Sequence, residues 1–373
     1  MRGTIRLFQV AGIDLKLHFT FPLILILGAL QWGREHGTRG MVFGVLLTVA
    51  LFACVTLHEL GHSVVARGFG IPVREIVLMP IGGVALFTRM PRKPLQELLI
   101  AVAGPAVNVV IAALLTTALL AWQGALPFST AGLTAAQLTN PSLLTFLHWL
   151  LIANVSLVLF NLIPAFPMDG GRMLRAVLAW LLGFRQATRI ASLIGQGLAA
   201  VAGIWALFAN QILLAVLALF VFLGAGRELA VEEARHLLSS RRIGDVYNKY
   251  ALVLAPGDRA SRVVDFILTS YQPDFAVIQG AQLLGVVRRE SLLAAMAADP
   301  SDPYVAGIMN RNVLRLPADT QLDGAQEQMA DAGADIAAVM EGDRFLGLVS
   351  LEDLREVLQI SAVLDRGSRA ASA

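Results

Sequence analysis

The chain has 373 residues, 56% of them apolar and only 15% charged, with a mean hydropathy of +0.68. That balance excludes an ordinary soluble globule and fits a polytopic membrane protein. The net charge of +2 conceals a split: residues 1–226 carry 14 Lys/Arg against 6 Asp/Glu, and residues 227–373 carry 15 against 21, with no basic stripe of the kind nucleic-acid binding needs.

Residues 4–16 alternate apolar and polar side chains around Ala11-Gly12, which predicts a short hairpin lying against the membrane. The first residues contain no h-region or small-residue cleavage site, so the first apolar run is expected to stay as a span. Six apolar stretches follow, near 18–32, 41–66, 98–121, 143–163, 190–208 and 211–225. Most approach the ~20 residues that cross a hydrocarbon core; the first and last are short. Ala209-Asn210 separates the last two, predicting a helical hairpin. Between the second and third, residues 70–87 hold strand-like runs punctuated by Pro72, Pro80 and Gly82-Gly83, which predicts a β-hairpin at the membrane edge.

Charge placement sets an expected orientation. Arg2, Arg6, Lys16, Arg67, Arg74, Arg89, Arg92, Lys93, Arg172, Arg175, Arg185 and Arg189 fall on one side, Arg34 and Arg39 on the other, and the 122–142 loop has no charge. The positive-inside rule then predicts a multi-pass protein of the cell membrane with both termini cytoplasmic. Cys54 is the only cysteine, so no internal disulfide can form.

The second stretch contains His58-Glu59-Leu60-Gly61-His62. On a helix, His58 and His62 share a face and can reach one metal ion, while Glu59 sits about 100° round, given ~3.6 residues per turn. The span runs inward, placing His58 in its cytoplasmic half. Of the six acidic residues before position 227, Asp14, Glu35, Glu75 and Glu97 fall in loops or at span ends, leaving Glu59 and Asp169 in apolar surroundings. An ionisable group at membrane depth costs ~2.5–3.5 kcal/mol on insertion scales and marks a functional candidate. Asp169 follows two prolines and precedes two glycines in Asn161-Leu162-Ile163-Pro164-Ala165-Phe166-Pro167-Met168-Asp169-Gly170-Gly171. It reads as a helix N-cap or as a third metal ligand beside His58 and His62. The second reading gives a three-ligand zinc site with one open position, and Glu59 beside it as general base in peptide hydrolysis.

Other polar residues within the spans have two readings. Asn108 and Asn154 suit helix–helix hydrogen bonds, and Asn108 also suits a substrate contact. Cys54, one turn before His58, suits an apolar filler or a position facing the site, and His148 suits a hydrogen-bonded structural histidine. Gly104-Pro105 suits a kink or a loosened packing surface in the third span.

The C-terminal part repeats itself. Leu284-Gly285-Val286-Val287 returns as Leu346-Gly347-Leu348-Val349, 62 residues on, and Leu254 and Leu316 keep that offset, each before a Pro-x-Asp turn. Both copies read strand, helix, strand, strand, helix, which predicts one pseudo-symmetric α/β module. The expected boundaries are a transmembrane domain over 1–226, a linker over 227–242, the paired module over 243–361 (243–298 and 305–361), and a disordered tail over 362–373.

These motifs resemble the site-2 protease family of intramembrane zinc metalloproteases. The resemblance rests on His58-Glu59-x-x-His62, on Asn161-x-x-Pro164-x-x-Pro167-x-Asp169-Gly170, on Ala103-Gly104-Pro105-Ala106-Val107-Asn108 and on Pro80-Ile81-Gly82-Gly83-Val84, with His18 near the first span. It implies six transmembrane helices with membrane-edge β-hairpins, one zinc ion held by His58, His62 and Asp169, Glu59 as general base, and Asn161 near the site polarising the scissile carbonyl. It also implies a single-pass membrane protein as substrate, with Gly82, Gly83 and Asn108 as candidate contacts. No PDZ-like insertion separates the spans. The C-terminal part resembles a pair of CBS domains, which implies dimerisation and an adenine nucleotide (ATP, ADP or AMP). Gly347-Leu348-Val349-Ser350-Leu351-Glu352-Asp353 matches the nucleotide pattern through Gly347, Ser350 and Asp353, while Gly285-Val286-Val287-Arg288-Arg289-Glu290-Ser291 departs from it. A nucleotide-gated transporter and a catalytically dead scaffold are the rival readings. The absence of inverted repeats among the spans speaks against the first, and the intact His58, Glu59, His62 and Asp169 speak against both.

Overall fold

The computed structural model describes residues 3–357 apart from 11, 81, 88–90, 92, 125, 128–137, 240, 271 and 299–300. The expected tail over 362–373 lies outside the described residues. The chain divides into two units, Met1–Glu232 and Glu233–Ala373.

In the first unit Gly12, at φ +77°, turns β1 (Thr4–Val10) into β2 (Ile13–His18), as the alternation predicts. α1 (Pro22–Gly68) follows, then β3 (Val73–Met79) and β4 (Gly82–Phe87) as the second expected hairpin. The two hairpins form one sheet in the order β1-β2-β3-β4. β2 and β3 pair in parallel, from Asp14 opposite Glu75 to Leu17 opposite Leu78, and Lys16 forms an ion pair with Glu75 along that seam. Ile13, Leu15, Ile76 and Leu78 from the sheet bury against Ala66 and Ile100, which fixes the sheet beside the end of α1 and the start of α2.

α1 is broken at Gly37, whose φ of 58° and ψ of −143° lie outside the helical region. The first two expected stretches therefore meet at one glycine, and Gly28 of the first segment lies against Gly44 and Thr48 of the second. After α1 come α2 (Pro94–Gln123), α3 (Leu143–Asn161), α4 (Asp169–Phe208) and α5 (Ile212–Ser239). Among the described residues these five helices are long and apolar enough to cross a membrane. The six expected stretches fall on them, two sharing α1. α4 is itself broken at Gly183, and α5 runs beyond the expected end at 225. Most of the expected linker over 227–242 is thus helix.

The second unit carries the repeat as two sheets, β5-β6-β7 and β10-β9-β8. The first copy is β5 (Val253–Leu254), α6 (Ala260–Thr269), β6 (Asp274–Gln279), β7 (Gln282–Arg288) and α7 (Arg289–Ala298). A short helix, α8 (Val305–Ile308), leads into β8 (Leu314–Pro317), α9 (Leu322–Ala332), β9 (Ile336–Glu341), β10 (Arg344–Ser350) and a closing helix over 351–357. In each copy the first strand pairs in parallel with the second, and the second pairs antiparallel with the third. The sheets pack through residues that keep the 62-residue offset: Ala276 with Ala338, and Val286 with Leu348, share one buried cluster. The segment ahead of each copy also crosses to the other, with Asn248 bridging to Leu348 and Asn310 to Val286.

Candidate metal centre

The second half of α1 has helical spacing at His58 and His62 and turns both imidazoles toward α2 and α4. Their Nε2 atoms lie 3.1 Å apart. Asp169 at the start of α4 brings Oδ2 to 3.3 Å from His58 Nε2 and 3.2 Å from His62 Nε2. All three residues are buried, at 6%, 5% and 7% exposure, and their ligand atoms lie within 4.8 Å of one another. Asp169 Oδ2 is a buried carboxylate oxygen with no hydrogen-bond donor. An orphaned carboxylate oxygen converging with two imidazole nitrogens is the donor set of a three-ligand zinc site, and the residues fit that ion.

α2 makes the room. A Cβ on Gly104 would collide with His62 Nε2 and His58 Nε2, so only glycine lets the helix backbone approach this closely. Gly104, of the Gly104-Pro105 pair read as a kink or a packing surface, lines the floor of the cluster. α2 also holds the far side of each ring. His62 Nδ1 donates to the carbonyl of Ile100 at 2.6 Å, and His58 Nδ1 contacts Asn108 Oδ1. Asn108 Nδ2 donates in turn to Asn154 Oδ1 on α3 at 2.7 Å. Of the two readings of Asn108, the helix–helix hydrogen bond is the one seen here: the residue is fully buried and both ends of its carboxamide are bonded within the protein.

Glu59 follows His58 on α1 and is half-buried. β4 passes directly over it: a Cβ on Gly83 would sit 2.8 Å from Glu59 Cγ and 3.2 Å from Val55 Cγ1. Gly82, at φ +136°, opens that strand. Asn161 is the half-buried last residue of α3, eight positions before Asp169. It stands outside the three-residue cluster. Cys54 packs with Leu47, Leu150 and Trp32 as an apolar filler, and His148 Nδ1 donates to the carbonyl of Leu144 at 2.8 Å. His18 ends β2 and bonds Thr20 Oγ1 at 2.7 Å.

The structure adds a second buried acid besides Asp169. Glu97, expected at an exposed span end, is enclosed in the first turn of α2. Arg175 of α4 donates to it through Nε at 2.7 Å and through Nη2, and donates to Glu228 of α5 through Nη1 at 2.7 Å. The Arg175 guanidinium also lies 5.0 Å from the ring of Phe166, in the loop before Asp169. One arginine thus ties the segment carrying Asp169 to α2 and α5. An acid and a base 78 positions apart give no local sign of this pairing.

In the second unit Ser350 N and Oγ donate to Asp353 Oδ2 at 2.7 and 2.8 Å, capping the closing helix. Both line a cavity of about 530 Å³ that also presents Tyr250, Gln272 and Asp274. Among the described residues its acidic side chains are Asp274, Glu352, Asp353 and Glu356, and no Lys or Arg lines it. Arg288, Arg289 and Arg355 line an adjoining cavity of about 340 Å³. Gly347 lies in β10, where an added Cβ would meet the Asn248 carbonyl and the Tyr247 ring.

Comparison with known proteins finds relatives of both parts of the chain. The model of peptidase family M50 matches residues 46–204, and that of the CBS domain matches residues 305–360. A zinc metalloprotease of Methanocaldococcus jannaschii is 32% identical over 96% of this chain and 97% of its own length. The putative zinc metalloprotease Rip3 of Mycobacterium tuberculosis is 27% identical over 96% of this chain and 94% of its own. Among solved structures, the site-2 protease from Methanocaldococcus jannaschii is 38% identical, covering 61% of this chain and 95% of that one, with a TM-score of 0.42.

Proposed function

This chain belongs to peptidase family M50, the site-2 zinc metalloproteases, and from that membership we propose that it hydrolyses a peptide bond in or beside the transmembrane segment of a single-pass membrane protein. The observation that carries the reading is the convergence of His58 Nε2, His62 Nε2 and Asp169 Oδ2 inside a bundle of apolar helices. Those three atoms would hold the zinc ion. Bound there, zinc supplies Lewis-acid activation of water and of the scissile carbonyl. Glu59 takes the proton of the attacking water and returns it to the departing amine nitrogen. Asn161, at the end of α3, donates from its carboxamide to the scissile carbonyl oxygen. Substrate must be extended before it can be cut, since a helical carbonyl is already hydrogen-bonded. β4 is the outer strand of its sheet, and its Gly82-Gly83 end lies over Glu59, which suits pairing with an extended substrate segment.

Glu59→Gln tests the reading. The variant should bind one zinc per chain and lose at least ~10²-fold in cleavage of a model transmembrane substrate, the usual worth of a general base. Cleavage at the wild-type rate would remove Glu59 from the mechanism. The same variant, recovered with its bound membrane proteins, should identify the substrate.

The second unit is proposed as a CBS pair on the cytoplasmic side that dimerises the chain and regulates access of substrate. Its 530 Å³ cavity suits the nucleoside end of an adenine nucleotide, with phosphates directed to Arg288, Arg289 and Arg355 of the adjoining cavity. Calorimetry on the full chain in detergent should show binding of ATP, ADP or AMP. No heat with any of the three would end the nucleotide proposal.

A further inference from the structure

We infer that Asn154, a residue of α3 hydrogen-bonded to Asn108 and to the Leu150 carbonyl, is a positioning residue that fixes which nitrogen of His58 faces the metal. The inference rests on the proposed role of His58 as a ligand. It follows from a chain of hydrogen bonds that has only one self-consistent direction.

A backbone carbonyl oxygen can only accept. Asn154 bonds the Leu150 carbonyl at 2.8 Å, so the atom making that bond must be its NH₂ group. Asn154 Oδ1 is therefore the atom presented to Asn108, and it too can only accept. Asn108 must meet it with its own NH₂ group, at 2.7 Å. That leaves Asn108 Oδ1 facing His58 Nδ1. A carboxamide oxygen cannot donate, so His58 Nδ1 carries the proton, and the lone pair is left on Nε2, the atom that points at Asp169 and His62. His62 reaches the same state in one step, because its Nδ1 meets the Ile100 carbonyl directly. For His58 the partner is Asn108 Oδ1, and two amide side chains relay the constraint from Leu150. Asn108 and Asn154 are both fully buried, so water cannot substitute for either partner.

Without Asn154 the Asn108 carboxamide has no acceptor for its NH₂ group and gains by turning over. Turned, it donates to His58 Nδ1, moves the proton to Nε2 and closes the lone pair that the metal needs. Partners of this kind are worth ~10–100-fold in metal affinity.

The test is competitive zinc titration of the full chain in detergent. Asn154→Leu should weaken zinc binding at least ~10-fold, while the chain stays monodisperse and helical. Asn154→Asp in its neutral form donates its O–H to the Leu150 carbonyl and still offers an acceptor to Asn108, and should stay within about threefold of wild type. The decisive comparison is made in an Asn108→Asp background. A carboxylate accepts on both oxygens and needs no orienting partner, so adding Asn154→Leu there should change zinc affinity by less than about twofold. An equal loss in both backgrounds would make Asn154 a packing residue and overturn the relay. His58→Ala serves as the control for the site itself: if it binds zinc as wild type does, the metal centre is misassigned and the relay falls with it.

Discussion

The two units treat polarity in opposite ways. Among the described residues thirteen polar or charged side chains are buried, and all lie between Thr48 and Ser192, within the membrane unit. The second unit buries none of them; its interior is Phe275, Val277, Val287, Leu292 and their like, fully enclosed. The membrane unit meanwhile exposes Leu181, Phe208, Leu213 and many other large apolar groups. In water, apolar area removed from solvent holds a fold together. In lipid that difference vanishes, and polar groups that find each other inside contribute specificity. The membrane unit can therefore concentrate histidine, carboxylate and carboxamide at one place, where the second unit concentrates only hydrocarbon.

The comparison can be broken by removing one member from each interior. Arg175→Met would leave Glu97 and Glu228 without their cation, and should lower the stability of the membrane unit by ~3–5 kcal/mol, read as thermal unfolding in detergent. Phe275→Ala should cost the second unit a similar ~3–5 kcal/mol by a different cause, an apolar cavity. If Arg175→Met is silent, the buried clamp does not organise the segment that carries Asp169. The two units separate at the surface. Arg288 pairs with Asp335 at 3.2 Å, both half-exposed or more, and Arg288→Met should cost under ~1 kcal/mol in urea unfolding of the second unit.

The smallest effect is a sign. Burial raises the carboxyl pKa of Asp274 above the ordinary value, with Arg288 opposing and Glu290, Asp353 and Asp335 adding to the rise. A raised native pKa means that the stability contributed by the protonated form is present below the unfolded value of about 4 and is lost as pH rises through the native value. Asp274→Asn should therefore stabilise the second unit at neutral pH, with the gain fading toward pH ~4. A loss of stability at pH ~7 would show that the Arg288 pair outweighs burial.

The sequence made some of this legible. His58 and His62 declare themselves by spacing, and Asp169 by being an acid amid apolar residues with no solvent-exposed alternative. Both hairpins follow from alternation and turn residues, and the second unit from its 62-residue repeat. What stayed hidden depends on long-range pairing. β2 and β3 join across the whole of α1, and no local pattern encodes a parallel pairing at that separation. Glu97 reads as an exposed helix end because its partner lies two helices away. Asn108 reads equally well as a substrate contact or a helix–helix bond until α1 and α3 close on either side of it.

The crossed bridges of the second unit have a consequence for its ancestry and its integrity. Asn248 completes the edge of the second copy's sheet and Asn310 the edge of the first, so neither copy owns all of its border. A single copy cut from the chain would carry an open strand edge, and a second identical copy is the natural object to close it. The module is in effect two subunits that have traded their leading arms and then been written on one strand of chain.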